Sequence, residues 1–135
     1  MNSDDDGVLE AARAIRPYLN DLVGPALAAT IDDRIAEEIN GAAGPAETVS
    51  RLRALMEEHD DTSWFLTRVL ADQSLHRPPY HQQVRLRGVV SPAGDPYLVE
   101  ADRFACPRGD YAWYRPEVGA PVPDCPTHHL SLIRS

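Results

Sequence analysis

Apolar residues recur at helical spacing through the first half of the chain. Val8, Ala12, Ile15, Leu19 and Leu22 share one face of a helix. Pro17 falls inside that run and predicts a kink or short break just before it, because its ring blocks the preceding turn. Gly24-Pro25 reads as a stop followed by a start, with proline at a first helical position. Leu27, Ile31, Ile35 and Ile39 then repeat every four residues, and Gly41 closes the helix. Gly44-Pro45 repeats the punctuation, and Val49, Leu52, Leu55 or Met56, and His59 mark the face of a third helix. Asp60-Asp61-Thr62 offers N-caps for a fourth, whose stripe is Phe65, Leu66, Val69 and Leu70. Trp64 is expected in the core or as a lid over it. Four amphipathic helices with short connections predict an antiparallel bundle over residues 8–75. Residues 1–7, polar and acidic, are expected as a frayed, disordered tail.

Arg77-Pro78-Pro79 breaks this pattern, and residues 76–83 read as a linker. Beyond it the period changes to two. Val84, Leu86, Gly88 and Val90 alternate with Arg85, Arg87 and Val89, as in a half-buried strand. Residues 91–96 form a turn cluster and 97–100 a return strand. Phe104-Ala105 leads into Cys106, residues 111–114 form another short strand, and residues 130–133 the last. The expected fold class is therefore α+β, a four-helix bundle followed by a small antiparallel sheet over residues 84–135. So few large apolar side chains make a thin core, and such a sheet needs a staple or the bundle to lean on.

Composition narrows the classes. Of 135 residues 43% are hydrophobic, enough to bury a core and exclude global disorder. No run approaches the roughly 20 apolar residues of a membrane span. The start lacks a basic segment followed by an apolar one, so no secretory signal is expected and the anticipated compartment is the cytoplasm. The net charge of −8 is uneven, since residues 1–74 carry 15 acids and 6 arginines, and residues 75–135 carry 6 acids and 7 arginines. An acidic half of that size argues against general nucleic-acid binding by the whole chain. The outer helix faces carry Asp32, Asp33, Glu37, Glu38, Glu57 and Glu58. They read as a solvated face or as a surface that docks a basic protein partner. All 13 basic residues are arginine, which points to GC-rich coding before any functional cause.

The chemistry lies in the proline-rich half. Its two cysteines sit in Cys106-Pro107-Arg108-Gly109-Asp110 and, after an 18-residue gap, in Cys125-Pro126-Thr127-His128. In a reducing compartment a structural disulfide is disfavoured, so metal is the first explanation to test. Cys125 and His128 have the C-x-x-H spacing with which one tight turn presents two ligands to a tetrahedral ion. These turns make residues 104–133 resemble a zinc ribbon, or a rubredoxin-like pair of knuckles at the ends of antiparallel strands. The family pattern has a second cysteine where Gly109 stands here. The stretch is also similar to C-terminal ribbons on small actinobacterial proteins, whose helical parts are adaptor modules of conflict or signalling systems. The resemblance implies structural zinc held by Cys106, Cys125 and His128. The fourth ligand stays open among Asp110, one residue past the family position, His81, His129 and water. His129 adjoins His128, and neighbours on an extended strand point apart. A ribbon that has lost its metal, or a disulfide between the cysteines, are the alternatives.

Two rival functions follow from the same residues. Two cysteines and a histidine with an open fourth position would suit a catalytic zinc. Yet Asp110, Asp124 and Glu117 lie in loops without a catalytic motif, and there is no phosphate-binding glycine loop. Nucleic acid could meet Arg85, Arg87, Arg103, Arg108 and Arg115 with Tyr111, Trp113 and Tyr114 for stacking. Against it, a net charge of +1 over residues 75–135 is a weak footprint, and the arginines can instead pair with acids of the bundle. His59 and His76 read as surface or cap residues. The expectation is a non-catalytic adaptor or regulatory subunit with a structural metal.

Overall fold

The fold is that of a computed structural model, which describes residues 3–72, 76–79, 102–115 and 119–134. The strands expected over residues 84–90 and 97–100 lie outside the described residues, as do Arg85, Arg87, His81 and Glu117.

Helix α1 (Ser3–Ile15) opens with Asp4, Asp5 and Asp6 in its first turn, where carboxylates meet the positive end of the helix dipole. The acidic stretch expected as a frayed tail is thus the start of a helix from Ser3 onward. At Pro17 the helix gives way to a 3-10 turn (Arg16–Tyr18) followed by the short α2 (Leu19–Val23). Gly24, at φ 84°, reverses the chain into α3 (Pro25–Asn40). Helices α4 (Pro45–Glu57) and α5 (Asp60–Ala71) complete the helical part. His59 does not extend the face of α4. It is the N-cap residue of α5, and its carbonyl accepts the Ser63 N–H at 2.9 Å and the Thr62 hydroxyl at 3.1 Å. Trp64 is 45% exposed rather than core, while its neighbour Phe65 is fully buried.

The axis of the molecule is α1. Val8, Ala11, Ala12, Ala14 and Ile15 are fully buried, and small side chains let neighbouring elements approach on several sides. Helices α4 and α5 pack on α1, and so does the sheet. Gly7 lies tight against α5, since a Cβ there would lie 2.7 Å from Leu70 Cδ2.

Among the described residues the sheet has three short strands, β1 (Arg103–Ala105), β2 (Ala112–Tyr114) and β3 (Ile133–Arg134), antiparallel in the order β2-β1-β3. Arg103 pairs with Tyr114 and Phe104 with Trp113, so each pair shares a face of the sheet. Phe104 and Trp113 face the sheet's own cluster with Cys106, Tyr111, Cys125 and Leu132. Tyr114 belongs instead to the core of the bundle. There its hydroxyl donates to Glu10 Oε2 at 2.6 Å, and Arg103 clamps the same carboxylate with two bonds of 2.7 Å. The sheet therefore leans on the helices through a buried charge pair as well as through apolar contact. Within the connecting stretch, Arg77 and Pro78 are buried. No described helix is long and apolar enough to cross a membrane.

Candidate metal centre

The two Cys-Pro segments fold into matching knuckles. In the first, the Cys106 N–H donates to the carbonyl of Tyr111 at 3.0 Å, and the Gly109 N–H to the carbonyl of Cys106 at 2.8 Å. In the second, the Cys125 N–H donates to Leu130 at 2.9 Å, and the His129 N–H to Cys125 at 2.8 Å. Each loop is thus closed by a bond from its cysteine to the residue five positions on. Both also contain one left-handed residue, Gly109 at φ 81° and His129 at φ 54°. Gly109 takes a left-handed turn, which most side chains adopt only with strain. The chain reverses there, and the next residue, Asp110, points inward. In the second knuckle the order is inverted, so His128 points inward and the left-handed His129 is exposed.

Cys106, Asp110, Cys125 and His128 each bring a donor atom to one place, and these four atoms all lie within 4.8 Å of one another. His128 Nδ1 is 3.6 Å from Cys106 Sγ, 3.9 Å from Cys125 Sγ and 3.2 Å from Asp110 Oδ2. Cys125 Sγ is 3.5 Å from Asp110 Oδ1. A tetrahedral ion about 2.3 Å from sulfur and about 2.0–2.1 Å from nitrogen or oxygen sets sulfur–nitrogen and sulfur–oxygen edges of about 3.5 Å, and a nitrogen–oxygen edge of about 3.4 Å. The measured separations fall close to those edges. His129 is outside the cluster. Both cysteines are free thiols, not a disulfide.

Asp110 is fully buried, an arrangement that a carboxylate tolerates only with partners. Asn40, the last residue of α3, donates its amide to Oδ2 at 2.8 Å. Arg16 lies 3.7 Å from the same oxygen and donates to the Asp110 carbonyl at 2.7 Å. Burial opposes ionisation, but Asn40, Arg16 and His128 outweigh it and hold the carboxyl below its ordinary value. Arg16 also donates to Asp32 on α3 and to the Thr127 hydroxyl in the second knuckle, and its guanidinium lies over the Tyr111 ring at 5.3 Å. Arg13, one turn earlier, donates to the Gly109 carbonyl at 2.7 Å. The Cys106 thiol is pushed up to about 11 by burial. The Arg108 N–H, 3.4 Å from its sulfur, opposes this, and Cys125 and Asp110 reinforce it. A bound cation reverses that balance and favours thiolate.

Asn40 and Arg16 are absent from the sequence reading of the site. Nothing local marks them, since they reach Asp110 across 70 and 94 positions of chain. The break at Pro17 is the one sequence signal for Arg16, because it places that residue in the turn that faces the knuckles.

The chain matches no protein-family model, no curated protein and no solved structure.

Proposed function

We propose that Cys106, Asp110, Cys125 and His128 hold a structural zinc ion, that residues 104–133 form a zinc-ribbon-like module around it, and that the protein is a non-catalytic adaptor or regulatory subunit. One observation carries the metal reading, the convergence of four donors of the right chemistry within 4.8 Å of one another, with His128 Nδ1 3.2–3.9 Å from the other three residues. Two sulfurs, an imidazole and a carboxylate suit a borderline-soft, four-coordinate divalent ion. Charge agrees as well. Two thiolates and a carboxylate carry one more negative charge than a divalent ion neutralises, and Arg16, shared with Asp32, places a cation beside Asp110.

The same count favours structure over catalysis. Four protein ligands complete a tetrahedron, whereas a catalytic zinc keeps a position for water. Two open pockets on the surface are lined by other residues. One, of about 410 Å³, is bounded by Glu10, Arg13, His76, Arg103 and Tyr114, among others, and the second by α3 acids with Pro126 and Thr127. Nucleic acid is the weaker reading. Arg103 is committed to Glu10, Arg115 stacks on Phe104, and Tyr111 and Tyr114 are buried. The exposed acids Asp33, Glu37, Glu57 and Glu58 on α3 and α4 suit a basic protein partner.

Elemental analysis of the purified full chain tests the ion. The expected result is one zinc per chain, lost in Cys125→Ser; a metal-free wild-type protein overturns it. For the docking surface, partner capture in low salt is compared between the wild type and Asp33→Lys/Glu37→Lys. A partner held equally by both removes the acidic face from consideration.

A further inference from the structure

We infer that the helical part supplies the outer sphere of this metal centre, with Asn40 as the positioning residue for the Asp110 ligand and Arg16 as its charge partner. The inference rests on the metal reading above and goes beyond it by making the ion's affinity a property of α3 and of the break after α1.

Oδ2 of Asp110 takes the Asn40 amide at 2.8 Å, with Arg16 3.7 Å away, and also lies 3.2 Å from His128 Nδ1. Oδ1 faces Cys125 Sγ at 3.5 Å. A carboxylate with one oxygen held by a fixed amide keeps both oxygens in set directions toward the cluster. Such outer partners orient ligands and keep them ionised. The knuckle alone offers less control, because Asp110 follows a glycine in the left-handed region and its backbone direction is set by that turn. Arg16 secures the turn by binding the Asp110 carbonyl at 2.7 Å, and it reaches Thr127 in the other knuckle. One guanidinium thus ties both metal-bearing loops to Asp32 of α3.

Asn40 is the informative position, since it is exposed at a helix end and its truncation removes no core contact. The test titrates Co(II) into the full reduced chain and follows the visible and thiolate charge-transfer bands, with Zn(II) competition for affinity. Asn40→Ala is expected to weaken metal binding by about 10- to 100-fold and to shift the Co(II) visible bands, at unchanged far-ultraviolet dichroism. Asn40→Gln, which keeps an amide donor, should recover part of both. Glu37→Ala, an exposed acid one turn earlier, should change neither and so controls for long-range charge. Wild-type affinity and an unaltered spectrum in Asn40→Ala overturn the inference while leaving the metal reading intact. A wild-type chain that gives no thiolate band with Co(II) overturns both. Should Asn40→Ala fail to fold, the comparison rests on Asn40→Gln, where an unchanged spectrum and affinity against an Asn40→Ser variant would be the overturning result.

Discussion

Glu10 is a charged residue that is only 9% exposed, a placement that costs several kcal/mol unless it is paired. Its carboxylate takes two bonds from Arg103 and one from the Tyr114 hydroxyl, which together replace the lost water. Removing only the hydroxyl leaves the ion pair but strips a charge-assisted bond. Tyr114→Phe should therefore destabilise the protein by about 1.5–3 kcal/mol in chemical denaturation. The same site predicts a pH response. Burial first, then Glu10, pushes the Tyr114 hydroxyl above its ordinary value near 10. The folded state therefore keeps a proton that the unfolded chain releases. Its contribution is complete below about pH 10 and is lost as pH rises through the alkaline range toward the folded value. Denaturation midpoints measured from pH 8 upward should hold to about pH 10 and then fall in the wild type, and fall less steeply in Tyr114→Phe. Equal slopes would show that another group governs the alkaline limb.

Among the elements, the turns and close approaches carry sharper expectations than the helices. Gly109 has open space around a would-be Cβ but sits at φ 81°, so Gly109→Ala meets backbone strain alone, of about 1–2 kcal/mol. Because that turn aims Asp110, the affinity of Gly109→Ala for the proposed metal should drop alongside its stability, and a competition titration reads the two separately. Gly7 presents the opposite case. Alanine in place of a helical glycine gains about 1 kcal/mol of helix propensity. Its Cβ would, however, lie 2.7 Å from Leu70 Cδ2 and 2.8 Å from His76 Nδ1. Overpacking costs about 1–3 kcal/mol, so Gly7→Ala should be neutral to destabilising, and a raised melting temperature would contradict the tight α1–α5 contact. The helices themselves were legible from period and punctuation, because Gly-Pro pairs and a four-residue apolar repeat act locally. The same logic hid Glu10 and Arg16, since a charge on a helix reads as solvated unless something distant covers it. It also left Trp64 open between the core and a lid over it, and the 45% exposure excludes the core, because a ring beside Phe65 on a helix can lie on either side of the apolar stripe. Asp110 was readable as one of several fourth ligands. The left-handed turn at Gly109 that selects it depends on backbone geometry that spacing alone does not reveal.

At the scale of the molecule, the question is whether loss of the proposed ion would dissolve everything or only the part around its site. The two apolar clusters give the answer. Every member of the larger one except Tyr114 lies in the helices or in α2, so the bundle keeps nearly all its core if the sheet departs. The charges that face the sheet, Glu10 and Arg16, would then meet water, which offsets part of the lost contact. Among the described residues the smaller cluster has Phe104, Cys106, Tyr111, Cys125 and Leu132 as its buried members, and two of those five are proposed ligands. It is too small to stand without a staple, and binding energy at such a site is folding energy. Chelation, or Cys125→Ser, should therefore abolish the near-ultraviolet signal of Trp113 and open the chain to trypsin at Arg103 and Arg108, while helical dichroism is largely retained. The helical fragment that remains should melt lower than the holoprotein, by the contribution of Tyr114, Arg103 and the knuckle contacts of Arg13 and Arg16. Simultaneous loss of helix and sheet signals on chelation would mean instead that α1 depends on the sheet for its own burial. An unchanged proteolysis pattern would mean that the knuckles stand on hydrogen bonds alone.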